Sequence, residues 1–163
     1  MTDRYLKFLF MVLLGLMALF YVGHNLINLS IAHQNIGYVL SQKDHAIYPA
    51  NLMPALGSGP AWVVLWLIFA SEIAAGAVSL WAAVKIWAGR SDPAAYSKAI
   101  NLAKIGCGLV VFTWFGLFNV FGGAAYNMWQ TQVGHGSMSD AFTFAAFGFF
   151  VLIYLGQREE PVV

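Results

Sequence analysis

Residues 61–87, AWVVLWLIFASEIAAGAVSLWAAVKIW, decide how the whole chain is read. They carry no charge before Lys85 except Glu72. A helix needs roughly 20 apolar residues to cross the hydrocarbon core of a bilayer, and this segment exceeds that length. Working outward, three more apolar stretches have spanning character: about Leu6 to Ile27, about Ile105 to Tyr126, and about Phe142 to Leu155, the last extended by Ala141 and Gly156. The expected architecture is therefore all-α: a single four-span transmembrane bundle over residues 1–163, with spans at about 6–27, 61–87, 105–126 and 141–156.

Composition agrees with that pattern. Of 163 residues, 60% are hydrophobic, 16% aromatic and 9% charged, with a mean hydropathy of +0.70. Soluble domains carry about 25% charged residues, so this chain has too little charge to cover a water-facing surface. A net charge of +1 supplies no basic face for a nucleic acid. One cysteine excludes a disulfide framework, a CxxC redox pair and a thiolate zinc site within the chain.

Arg4 and Lys7 ahead of the first apolar run resemble the start of a secretory signal. The run is too long for one, and the His24-Asn25-Leu26-Ile27-Asn28 end has no small-x-small cleavage pattern, so it is read as a retained helix. Seven of the eight Lys and Arg residues fall on one side: Arg4, Lys7, Lys85, Arg90, Lys98, Lys104 and Arg158 against Lys43. The positive-inside rule then puts both termini in the cytoplasm. Tyr5, Trp81, Trp87 and Tyr154 fit an inner aromatic belt, and Tyr21, Trp62, Tyr126 and Trp129 an outer one.

The outer connection from about Leu29 to Pro60 is the longest. Ile36, Val39 and Leu40 have helical spacing and predict a short surface helix over Asn35 to Ser41. Pro49, Pro54 and Gly57-Ser58-Gly59-Pro60 then break the chain, with Ser58 or Gly59 expected to cap the second span. The connection from Met128 to Asp140 is polar.

Glu72 is the one acidic residue deep in a span. A charged carboxylate at the bilayer centre costs about 2.5–3.5 kcal/mol on insertion scales. Gly76, Ser79 and Ala83 share its helical face, and small residues mark the side where helices approach, so Glu72 is expected to face the bundle. It is either a proton or cation site, or a hydrogen-bonded carboxyl that fixes packing. Thr113 and Asn119 in the third span, with His24, Asn25 and Asn28 in the first, are its candidate polar companions. They form either a vestibule opening outward from Glu72 or separate inter-helix and headgroup contacts.

No catalytic constellation is visible. Cys107, between Gly106 and Gly108, reads as a packing residue, and Gly122-Gly123-Ala124-Ala125 as a place for close contact or a kink. No cofactor is expected. The alternative is a haem near the outer face held by His24 and His135, since membrane bundles often carry haem between two histidines. The loop histidines with Asp44 and Asp140 match no metal-ligand spacing.

With four spans, His24-Asn25 ending the first and Ser71-Glu72 in the second, the whole chain resembles a family of predicted small bacterial integral membrane proteins of unassigned function. The resemblance implies a bacterial inner membrane and carries no catalytic motif. Two functions are consistent with the residues. One is a non-enzymatic accessory or partner-binding subunit, in contact with membrane lipids and with other subunits or itself. The other is a small oligomeric transporter, channel or sensor that uses protonation of Glu72 behind a His24-lined mouth. A haem-binding subunit is the third.

Overall fold

A computed structural model describes residues 2–48 and 50–157. Pro49 and Arg158, used in the sequence reading, lie outside the described residues. Those described are mostly helical, with no strand among them, and four helices are long and apolar enough to span a membrane.

Helix α1 is Thr2–Ile27, and its inward face follows the spacing Met11, Leu14, Ala18, Val22. One residue, Asn28, separates it from α2, Leu29–Leu40. The expected surface helix is therefore longer than Asn35 to Ser41, and the irregular part of the outer connection shrinks to the loop before α3, Ser58–Ala88. Gly57, in extended conformation, caps α3 without any side-chain hydrogen bond, so neither Ser58 nor Gly59 is the cap. Both already lie inside the helix, which starts earlier because Pro60 tolerates a first-turn position where no amide donor is needed.

Helix α4, Pro93–Val111, starts well before the expected span at Ile105. Asp92 is the reason: its carboxylate accepts from the Ala94 and Ala95 amides, and Pro93 presets the first turn. From Phe112 to Ala125 the same rod widens into a π-helical stretch with i to i−5 bonding, as in Tyr126 N to Phe121 O at 3.0 Å. Thr113 Oγ1 donates to Leu109 O at 2.9 Å just as the stretch begins, and Asn119 Nδ2 donates to Trp114 O at 3.0 Å within it. Side chains that occupy helix carbonyls in this way compete with the regular ladder. After a 3₁₀ turn at Met128–Gln130, helix α5 runs Gln132–Gly156. Most of the polar Met128 to Asp140 connection is thus the first turns of α5, with Thr131 Oγ1 accepting from Gly134 N at 3.1 Å as its cap.

Helix α3 is the centre of the packing. It lies along α1 on one side and α4 on the other, and α5 packs against α4 and its π-helical continuation. The starts of α1 and α4 and the ends of α3 and α5 gather at one end of the bundle, called here the terminal end. Helix α2, the loop before α3 and the 3₁₀ turn close the far end.

At the terminal end cations lie on aromatic rings: Arg4 over Tyr96, Lys85 over Trp81, Arg90 over Trp87 and Lys7 near Tyr154. Of the inner-belt aromatics, Trp81, Trp87 and Tyr154 carry these cations, and Tyr5 packs against Trp87 with ring centroids 5.7 Å apart. At the far end Gln130 Oε1 accepts from the Ile47 and Tyr48 amides at 3.0 and 2.8 Å, Asn127 Nδ2 donates to Asn51 Oδ1 at 2.9 Å, and Leu56 N donates to Leu40 O at 2.8 Å. These bonds strap the loop over the helix ends.

Candidate polar site in the helix bundle

Glu72 is buried to 1% exposure on the inward face of α3, in line with Gly76, Ser79 and Ala83, all of them buried. Ser71 beside it is satisfied locally, its Oγ donating to Ile68 O at 2.8 Å. The polar group that reaches the Glu72 carboxyl from another helix is the Asn25 amide of α1. Asn25 continues the buried stripe Met11, Leu14, Ala18, Val22 by one heptad step, which is why it alone of the α1 polar cluster points inward. Glu72 Oε2 and Ser79 Oγ are both buried without a hydrogen-bond partner among the described residues.

Of the sequence candidates, Asn25 therefore joins Glu72 and the others do not. His24 and Asn28 are exposed, and Asn28 Nδ2 donates to His24 O at 2.9 Å. They lie on one face as four-apart residues must, but that face looks away from α3. Thr113 is buried, and its hydroxyl and the Asn119 amide are engaged by their own helix's carbonyls rather than by the carboxyl. His135 is exposed near the start of α5, and the structure records no contact between it and His24 among the described residues. No group of three His, Cys, Asp or Glu side chains there is placed to hold a metal. Cys107 is buried, its Sγ 3.8 Å from Met11 Sδ, as a packing residue would be.

Packing explains the small residues around Glu72. A Cβ on Gly76 would fall 2.6 Å from Leu19 Cδ2, and one on Gly106 of α4 would fall 2.8 Å from Ser79 Oγ. Helix α3 is thus gripped closely from both sides, immediately below its carboxyl. Such contact encloses the Glu72 carboxyl between close-packed helices, where a buried polar group needs a hydrogen-bond partner.

The sequence reading missed a second polar group, at the terminal end. Lys7 is buried to 2% exposure, its Nζ 2.7 Å from Asp3 Oδ2, and the Tyr154 phenol of α5 also bonds the Asp3 carboxylate. The four-residue spacing of Asp3 and Lys7 was the available signal. Tyr154, far away in sequence, was not predictable from it. Arg4 likewise donates through a guanidinium nitrogen to Arg90 O, tying α1 to the turn before α4.

Among known proteins, the family described as predicted small integral membrane protein (DUF2165) matches residues 3–158. No curated protein and no solved structure matches the chain. A match over nearly the whole chain, together with four apolar helices of spanning length, makes this a multi-pass integral membrane protein that belongs to the DUF2165 family of predicted small integral membrane proteins.

Proposed function

We propose that the protein is a non-enzymatic accessory or partner-binding subunit of a larger assembly in the bacterial inner membrane, with both ends of the chain in the cytoplasm. The carrying observation is the exposure of α5, which is fixed along α4 but open on both flanks. One flank is an apolar groove of about 370 Å³ beside Phe115, Phe142 and Phe149. The other, between α1 and α5, is a groove of about 500 Å³ beside Phe10, Leu13, Phe147 and Phe150. Lipid gives helices no hydrophobic reason to associate, so membrane partners select one another by van der Waals fit into such grooves. The occupant in this reading is a transmembrane helix of the partner subunit. The seven-to-one lysine and arginine asymmetry and the cations stacked on aromatics at the terminal end support the cytoplasmic placement.

The test is mild extraction of the tagged protein from its native membrane, with mass spectrometry of everything recovered stoichiometrically. A defined complex that is lost in an Ala146→Trp variant, which blocks the first groove, is the expected result. A lone protein or a homo-oligomer overturns the reading.

A second reading rests on Glu72 and Asn25: a sensor or transporter, acting as an oligomer, in which protonation of Glu72 changes how α1 and α3 pair. A buried acid within a span is a functional candidate on general grounds. Wild-type vesicles that respond to a pH or cation gradient, with Glu72→Gln vesicles that fold but do not, would establish it. Silence of the wild-type protein across a broad ion and pH screen would remove it.

A further inference from the structure

Near the far end a cavity of about 220 Å³ lies between α2, α3 and the π-helical stretch. We propose that it is a lipid site holding an acyl chain of a bilayer phospholipid. Its walls are hydrocarbon apart from the Tyr126 phenol: Leu117 and Phe118 on the π-helical side, Val39 and Leu40 on α2, Ile68 on α3. Water needs two to four polar partners to occupy a cavity, and an apolar cavity of roughly 150 Å³ in a soluble protein takes benzene instead. This larger, equally apolar space therefore selects a hydrocarbon occupant.

The direction of its opening identifies which hydrocarbon. Leu40, Ile68 and Met128 are buried at its floor, whereas the rim residues Leu67 and Phe121 are 50% and 55% exposed. On the loop side it is roofed: Leu56 N bonds Leu40 O, and Gln42 Nε2 bonds Met53 O at 2.7 Å. Access is thus lateral, between two spanning helices, where the surrounding solvent is acyl chain. The π-helical stretch supplies one wall of the space through Leu117, Phe118, Phe121 and Gly122, and π-helical turns recur at functional sites.

The experiment uses the purified full-length chain at high lipid-to-protein ratio. The vesicles are phosphatidylethanolamine and phosphatidylglycerol, doped with a phospholipid carrying a photoactivatable diazirine on its acyl chain. Adducts are mapped by mass spectrometry after illumination. The expected result is heavier labelling at Phe118 and Ile68 than at Phe149, which lines an open groove. Leu117→Trp, which fills the cavity, should cut the Phe118 and Ile68 adducts by about tenfold, equivalent to about 1.4 kcal/mol of lost occupancy, and leave Phe149 unchanged. Phe149 labelling serves as the folding control, with Ile36→Trp filling the space from α2 if Leu117→Trp loses all labelling. Cavity adducts no heavier than those at Phe149 in the wild-type protein overturn the proposal by themselves, as does labelling that survives in a folded filled variant. With only lipid in the vesicles and the protein dilute, a partner's side chain cannot supply the signal.

Discussion

Gly15 on α1 and Gly76 on α3 meet backbone to backbone: a Cβ on Gly15 would lie 3.1 Å from Gly76 O, and one on Gly76 would lie 3.2 Å from Gly15 O. The contact is mutual, so each glycine provides the space the other helix uses, and it sits one turn from Glu72. Leu19 and Leu80 fill the gaps on either side, 2.6 and 2.7 Å from the positions those Cβ atoms would take.

Gly76→Ala should therefore destabilise the fold by about 1–3 kcal/mol, the usual cost of overpacking, and Gly76→Leu by more. Leu19 can rotate away from a new methyl group, but the Gly15 carbonyl cannot, which sets the lower bound. Reversible unfolding in mixed micelles measures the loss. A Gly76→Leu protein as stable as the wild type would show that α1 and α3 do not cross at this point.

For Glu72 the prediction is asymmetric. Glu72→Gln keeps the size and hydrogen-bonding capacity of a neutral carboxyl and should change stability by less than about 1.5 kcal/mol. Asn25→Leu removes the polar group that reaches the carboxyl from α1 and should cost about 1–3 kcal/mol by leaving a buried polar group without a partner. The double variant Glu72→Leu/Asn25→Leu, with both polar groups gone, should recover most of that loss. The same unfolding assay decides it, and a larger loss in Glu72→Gln than in Asn25→Leu would mean that the carboxylate, not the acid, is the native species.

Lys7 and Asp3 make a comparable cycle at the terminal end. Asp3→Asn removes the carboxylate charge 2.7 Å from the buried Lys7 ammonium and should cost about 1–3 kcal/mol, less than the roughly 3–5 kcal/mol of a wholly buried pair because Asp3 is partly exposed. Lys7→Met should be milder, since Asp3 retains the Tyr154 phenol. Combining the two should be less damaging than Asp3→Asn alone. Additive losses would contradict the coupling.

Tyr38 gives a pH-dependent prediction outside the spans. Its phenol donates to Asp44 Oδ2 at 2.9 Å, and that hydrogen bond, reinforced by partial burial and by the negative charge of Asp44, raises its pKa above the ordinary 10.0. A raised folded-state value means that the contact contributes fully below the unfolded pKa and is lost as pH rises through the folded one. In Asp44→Asn the Tyr38 titration, followed by carbon-13 tyrosine NMR, should shift down toward its ordinary position. An unchanged midpoint would show that the hydrogen bond does not form in solution.

Short-range regularities of the chain carry much of the architecture. Apolar runs of spanning length have no stable alternative to helix in a bilayer, because every backbone polar group must be bonded within the segment, and all four spans follow from that alone. The inward face of α3 was legible as Glu72, Gly76, Ser79 and Ala83 because a helix places such residues on one side. Helix boundaries were less legible: Asp92 with Pro93, and Thr131, extend α4 and α5 into stretches whose polarity suggested loop. Which polar residues meet follows from how the helices cross. Asn25 reaches Glu72 while His24 next to it does not, because α1 crosses α3 at Gly15 and Gly76, and that crossing fixes the rotation of α1. Asp3, Lys7 and Tyr154 meet because α1 begins where α5 ends, and the far-end cavity lies where α2, α3 and the π-helical stretch come together. Each depends on the relative placement of elements far apart in the chain, which periodicity within a single helix does not encode.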